Sequence, residues 1–90
     1  MEKEMCGMLA FSRAGHDRDR LYMIVDQDED HVYLCDGRLR TVDKPKKKKV
    51  KHVQIVKRIS PEIRECMESG KKPDDIMIRR TIEEFKKRQD

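Results

Sequence analysis

Short apolar segments that alternate with polar positions fill the first half of the chain and predict β-strands. They cover residues 6–12, 21–26, 31–35, 38–42 and 52–56. Turn-forming residues separate them, and the pair Asp36-Gly37 is a strong hairpin signal. Five short antiparallel strands joined by tight turns predict a small β-barrel, closed or nearly closed, since closure removes exposed strand edges.

The period changes in the second half, where two helices are predicted at about 61–69 and 74–88. Ser60 can cap the first helix, Pro61 suits its first position, and Gly70 offers a stop. The second helix carries an apolar stripe made by Ile78, Ile82 and Phe85 at positions i, i+4 and i+7. We expect this stripe to dock the helix onto the barrel, or, if exposed, to bind a partner. The fold class is therefore α+β.

Composition argues against an enzyme. The chain has 90 residues, of which 36% are hydrophobic and 44% are charged, so its core is too thin to support a catalytic cleft. The sequence shows no nucleophile–base pair, no metal-ligand spacing and no phosphate-binding glycine loop. We expect no catalytic activity, no metal and no cofactor.

The positive charge is concentrated in one segment. Residues 1–43 hold ten acids and six bases, and residues 61–90 hold eight of each. Residues 44–60 hold eight bases and no acid. The charge of this segment, +8, exceeds the net charge of +4 for the whole chain. Such a distribution indicates a patch that faces a polyanion, although a run of lysines can also be a merely solvated loop.

Lysine and arginine offer complementary contacts to nucleic acid. Lysine ammonium groups bind phosphates and give salt-dependent affinity. Arginine guanidinium groups also donate forked, bidentate hydrogen bonds and stack on planar groups. Arg38 and Arg40, two apart on a predicted strand, should share a face. We expect one cationic rim on one side of the barrel. Its nucleic-acid-binding residues are Arg13, Arg18, Arg20, Arg38, Arg40, Lys44, Lys46, Lys47, Lys48, Lys49, Lys51 and His52.

The rings near this rim are Phe11, Tyr22 and Tyr33, and a small domain needs its few rings inside. Recognition of the backbone and shape of structured RNA is therefore expected over base stacking. The lysines also resemble a nuclear-import signal, which would matter in a eukaryotic source.

Cysteine usage and hydropathy point to the cytoplasm. The cysteines are odd in number and widely spaced, which disfavours a disulfide framework and a zinc ribbon. The N-terminus lacks an apolar core, and no apolar run approaches the roughly 20 residues that cross a bilayer. We expect a cytoplasmic monomer that does not bind membranes.

The segment GMLAFSRAGHDRDRLYMIVDQDEDHVYLCDG, residues 7–37, resembles a KOW motif, which is found in ribosomal proteins and NusG-type elongation factors. The continuation GRLRTVDKPKKKKVKH is similar to small bacterial KOW-domain RNA-binding proteins, relatives of a large-subunit ribosomal protein of archaea and eukaryotes. The resemblance implies an SH3-like barrel over residues 5–58, with residues 60–90 as a helical extension outside the motif.

Within the motif, Gly15 matches the loop glycine, and Arg13, Arg18 and Arg20 fall where such loops meet RNA. Many KOW motifs carry a further glycine just before the second strand, where this chain has Asp19-Arg20-Leu21. The resemblance implies a non-enzymatic, ribosome-associated protein of translation that contacts ribosomal RNA. The alternative is a protein–protein adaptor of the transcription or translation machinery that uses its amphipathic C-terminal helix.

Overall fold

A computed structural model describes residues 4–16 and 18–88, which form one antiparallel sheet and two helices. The elements are β1 (Leu9–Ser12), β2 (Leu21–Gln27), β3 (His31–Cys35), β4 (Lys46–Lys49), a 3₁₀ turn (Val50–His52), β5 (Val53–Val56), α1 (Pro61–Glu68) and α2 (Asp75–Arg88). The sheet is open, with strand order β4-β3-β2-β1-β5. The predicted α+β class is confirmed in this coarse form.

Both faces of the sheet are buried, because successive side chains of a strand point to opposite faces. One face packs on the helices through a buried cluster of Leu9, Leu21, Met23, Cys35, Ile63, Ile78 and Ile82. The other holds a second cluster of Ala10, Tyr22, Ile24, Val32 and Leu34, which Met5, Met8, Val50, Val53 and Ile55 flank. Ninety residues thus support two thin apolar layers.

The helices begin and end where the sequence predicts. The Ser60 hydroxyl accepts a hydrogen bond from the Ile63 amide at 3.3 Å, and Pro61 occupies the first turn of α1. The Asp74 carboxylate accepts from the Met77 amide at 2.9 Å at the start of α2. Each cap satisfies a backbone donor that lacks a partner within its helix, and such a cap contributes about 1 kcal/mol.

The apolar stripe of α2 packs on the sheet. Ile78 is fully buried and Ile82 is 6% exposed, while Phe85 meets Phe11 of β1 edge to face, with ring centroids 6.2 Å apart. Burying one isoleucine contributes roughly 1.5–3 kcal/mol. The hypothesis that this stripe is a partner-binding surface would therefore require α2 to leave the sheet.

The predicted strand over residues 38–42 is wrong, and the lysine run forms the fourth strand instead. β4 pairs with β3 through Leu34–Lys46, Val32–Lys48 and their neighbours. Residues 36–45, here called the β3–β4 loop, are held by α2. Asp75 accepts a hydrogen bond from the Val42 amide at 2.9 Å, and Arg79 donates to the Gly37 carbonyl at 2.7 Å.

The position of β4 at the edge of the sheet explains why this strand can consist of four lysines. Edge strands carry unpaired backbone groups that invite association with other chains, and lysines oppose it. β4 stands at one end of the strand order, directly after Pro45. The lysine run is therefore a structural element in its own right, which sequence analysis treated as a connection between two strands.

Candidate nucleic-acid interface

Two loops and two strands border an open surface pocket of about 290 Å³, lined by His16, Arg20, Tyr22, Leu39, Arg40 and Lys46. We call it the arginine pocket. It brings together three of the predicted site residues: Arg20, and Arg40 and Lys46, which lie 20 and 26 positions further along the chain. No carboxylate lines this pocket among the residues that the structure describes.

The β1–β2 loop, residues 13–20, supplies one wall. Hydrogen bonds from the Ser12 amide to the Arg20 carbonyl, at 3.0 Å, and from the Asp19 amide to the Ser12 carbonyl, at 2.7 Å, close its base. Gly15 and Asp19 adopt positive φ values of 81° and 70°. Aspartate tolerates this left-handed region better than most residues, and the resulting turn brings Arg20 to the start of β2.

The β3–β4 loop supplies the opposite wall. One oxygen of the Asp36 carboxylate accepts hydrogen bonds from the Arg38 and Arg40 amides, both at 2.9 Å. The Asp36 amide donates to the Arg40 carbonyl, also at 2.9 Å, so the turn closes on itself. This turn places Leu39 and Arg40 beside the β1–β2 loop.

The predicted arginines divide into two groups. Arg13 contacts Asp19 at 3.1 Å and also donates to Gln54, and Arg38 pairs with Glu83 of α2 at 3.0 Å. Among the described residues, no carboxylate forms an ion pair with Arg20 or Arg40. Unneutralised guanidinium groups are the ones that gain most from an external anion.

Arg38 and Arg40 do not share a face, contrary to the sequence prediction. Their backbone is a turn rather than a strand, so the alternation of a strand does not apply. Arg40 lines the arginine pocket, whereas Arg38 lies in a separate depression beside Arg79 and Glu83.

The lysine run does not form one cationic row, because β4 sends alternate side chains to opposite faces. Lys46 lines the arginine pocket, and the Lys48 ammonium donates to the Ala14 carbonyl at 2.7 Å. On the other face, the Lys47 ammonium lies 5.9 Å from the centre of the Tyr33 ring. Lys49 lies beside Glu29 and Asp30, whose negative charges offset its positive charge. The single cationic rim expected from the sequence is thus divided.

The remaining predicted residues lie outside this centre, and Lys51 borders a depression that Glu29 and Asp30 also line. Arg18, Lys44 and Lys51 are exposed, and His52 is half-buried in the 3₁₀ turn, where its carbonyl accepts from the Arg13 amide at 2.8 Å. Their side chains do not line the arginine pocket. They extend the positive surface without converging on one point.

Sequence reasoning left three residues of the pocket out of the predicted site: Leu39, His16 and Tyr22, the last of which was expected in the core. Leu39 is 75% exposed, whereas the predicted strand only placed it on the face opposite Arg38 and Arg40. Its neighbours Arg38 and Arg40 were a usable signal, since a lone leucine between charged residues has no apolar companion at strand spacing. His16 carried no such signal.

One thiol outside the arginine pocket has a strongly shifted pKa. Burial raises the pKa of the Cys35 thiol to about 12, with the charges of Asp75 and Asp36 adding to the effect, so this cysteine is a poor nucleophile. No group of three or more His, Cys, Asp or Glu side chains among the described residues could hold a metal ion. The arrangement can bind an anion through fixed cations.

No protein-family model matches this chain, and no curated protein matches it significantly. Neither helix in the described part of the chain combines the length and the apolar character that crossing a membrane requires.

Proposed function

We propose that this chain is a non-enzymatic RNA-binding protein of the KOW type, associated with the ribosome, and that the arginine pocket is the centre of its RNA contact. The observation that carries the proposal is the convergence of Arg20, Arg40 and Lys46 on one cavity that no described carboxylate lines. Such a cluster favours binding of phosphates, because Arg20 and Arg40 form no ion pair with any carboxylate in the described part of the chain.

The arrangement of the strands supports the KOW-type, SH3-like interpretation. β1, β2 and β3 are consecutive neighbours joined by a glycine-bearing first loop, and β5 returns to pair with β1. Asp19 lies in the region where the family pattern often has glycine, and it adopts the positive φ of 70° that a glycine would favour. This conformation supports the KOW-type interpretation although the glycine itself is missing.

The lysines and remaining arginines would act around this centre. Lys47 and Lys51 are exposed and would meet neighbouring phosphates of a bound RNA. Each phosphate neutralised releases counterions, so log affinity falls with log salt by roughly 0.7–0.9 per contact. The division of the lysine run favours a contact that wraps around the edge strand rather than one flat row.

The decisive measurement is RNA binding across a salt series, by fluorescence anisotropy with a structured ribosomal RNA fragment. We expect the double variant Arg20→Gln/Arg40→Gln to bind at least tenfold more weakly and its salt slope to fall by roughly 2. The matched control is Lys57→Gln/Arg58→Gln. It removes the same charge beyond the end of β5, where Val56 pairs with Leu9 at the start of β1, and the loop of the pocket follows the other end of β1. Equal losses in the two variants, or salt-insensitive binding, would contradict the proposal.

A pull-down with and without nuclease separates this function from the adaptor alternative. Associations that vanish with nuclease support RNA binding, and crosslinking in cells then identifies whether the RNA is ribosomal. Associations that survive nuclease would support an adaptor.

A further inference from the structure

We propose that the arginine pocket receives a single unpaired nucleotide, with its base against Leu39 and its phosphate held by Arg20, Arg40 and Lys46. This inference rests on the proposed RNA-binding function and refines it. Sequence analysis favoured recognition of backbone and shape. The geometry of the pocket adds recognition of one base.

Leu39 is the observation that phosphate binding alone does not explain. It is 75% exposed, more than Ile76 at 60% or Val42 at 37%, the other large apolar side chains that are exposed in the described residues. Its position among three cations is poorly suited to a phosphate, which gains nothing from an aliphatic neighbour. A ligand that fills the pocket should therefore present an apolar surface beside its negative charge.

A nucleotide has both features. The face of a base is apolar and packs on aliphatic groups, and guanidinium planes stack on bases as well as binding phosphate. Tyr22, which is 2% exposed, forms a rigid part of the pocket wall. Arg20 and Arg40 stand on different loops, so they can contact the base and its phosphate from two sides.

The size of the pocket favours one nucleotide over a paired segment. Its volume of about 290 Å³ lies at the lower limit of the roughly 300–1,000 Å³ typical of sites for small molecules. Bases within an A-form helix are stacked and paired, and sequence-specific contacts go to bulges, loops and ends whose bases can turn outward. A bulged nucleotide next to a stem would also leave the stem phosphates within reach of the lysines.

The test compares three RNA hairpins that share one stem: fully paired, with a single bulged adenosine, and with the same bulge made abasic. Binding of the full chain is measured by anisotropy. We expect the bulged hairpin to bind about fivefold more tightly than the other two, the equivalent of roughly 1 kcal/mol for one packed base. Leu39→Ala should abolish this preference, so that the three hairpins bind this variant with equal affinity.

The matched control is Ile76→Ala, an exposed aliphatic residue on α2 that does not line the pocket; it should keep the fivefold preference. Circular dichroism establishes that both variants fold. Equal binding of all three hairpins, or a preference that survives Leu39→Ala, overturns the inference while the RNA-binding function stands. Failure of all three hairpins to bind overturns the function itself.

Discussion

The β2–β3 turn, residues 28–30, and the β3–β4 loop, residues 36–45, begin with the same hydrogen-bonding pattern but differ in length and in their contacts. In each, one aspartate oxygen accepts two backbone hydrogen bonds: Asp28 from the Asp30 and His31 amides, at 3.0 and 2.8 Å, and Asp36 from the Arg38 and Arg40 amides. The first turn leads directly into β3. The second continues for several residues before β4 begins at Lys46.

The difference lies in what each segment contacts. In the described part of the chain, Asp28 forms hydrogen bonds with residues within five positions of it, including the Tyr33 hydroxyl at 3.2 Å. The β3–β4 loop also bonds to α2, more than 30 residues away, through Val42–Asp75 and Gly37–Arg79. Leu39 and Arg40 belong to this loop. By holding the loop, α2 positions one wall of the arginine pocket without contributing a side chain to the pocket.

The largest expected effect comes from Gly37, where the loop meets α2. A Cβ at Gly37 would lie 2.5 Å from the Asp75 carbonyl oxygen, whereas one at Gly70 would meet nothing within 4 Å. Both glycines have positive φ, 78° and 84°. We expect Gly70→Ala to cost about 1 kcal/mol of unfolding free energy, and Gly37→Ala about 3–5 kcal/mol because steric overlap adds to the backbone strain. Denaturant unfolding measures both; equal costs would mean that the loop does not rest on α2.

The next effect concerns Cys35, which lies under the same loop and donates from its thiol to the Thr41 carbonyl at 3.2 Å. Its pKa rises from 9.0 to about 12 through burial and nearby carboxylates, so its thiolate is roughly a thousandfold scarcer at neutral pH. We expect iodoacetamide to label half-buried Cys6 and Cys66 well before Cys35, as followed by mass spectrometry. Gly37→Ala should accelerate labelling of Cys35, and rapid labelling in the native chain would show that the loop opens readily.

The sequence predicted the elements that form from local signals. The strands near residues 9–12, 21–27, 31–35 and 53–56 follow alternation and turn residues, and both helices follow their caps. It failed for residues 38–49. Lysine is a poor strand former, so nothing local marks β4, which exists because β3 offers it a partner. The strand expected over residues 38–42 is instead held as a loop by contacts with α2.

The candidate site was predictable as a set of cations but not as a shape. Charge bias identified Lys46, and the KOW resemblance and the expected guanidinium contacts identified Arg20 and Arg40. The same reasoning also included Arg13 and Arg38, which form ion pairs with Asp19 and Glu83. Pairing between residues as distant as Arg38 and Glu83 cannot be deduced from spacing. The exposure of Leu39 was not predicted either, because it depends on the path of the β3–β4 loop, which sequence analysis took for a strand.

A smaller effect is expected at Asp75. Its carboxylate accepts the hydrogen bond from the Val42 amide at 2.9 Å, and loss of an acceptor of this kind costs about 1–2 kcal/mol. We expect Asp75→Ala to speed hydrogen exchange at the Val42 amide, measured by NMR. Asp75→Asn is the matched variant, since its amide oxygen can still accept, and should retain most of the protection. Unchanged exchange in Asp75→Ala would show that α2 does not hold this part of the loop.

The smallest effect is the pH response of the β2–β3 turn. Desolvation raises the pKa of Asp28, but hydrogen bonds from the His31 and Asp30 amides and the Tyr33 hydroxyl, with the nearby His31 side chain, together outweigh it, and the net pKa lies below the ordinary 3.8. Folding therefore favours the ionised form. The stability it contributes is present above pH 3.8 and is lost as the pH falls through the lower folded pKa. The difference in Tm between the native chain and Asp28→Asn should accordingly shrink on acidification.

Because the contacts of Asp28 are local, its titration also tests the contrast between the two segments. Carboxyl NMR shifts should give the same lowered pKa for Asp28 in the native chain and in Asp75→Ala, although the latter loosens the β3–β4 loop. His31 also lies near this carboxylate, at 3.5 Å, and belongs to the same turn. A pKa of Asp28 that moves when Asp75 is replaced would show that α2 governs both segments, and the distinction between a self-contained turn and a loop held by a distant helix would then fail.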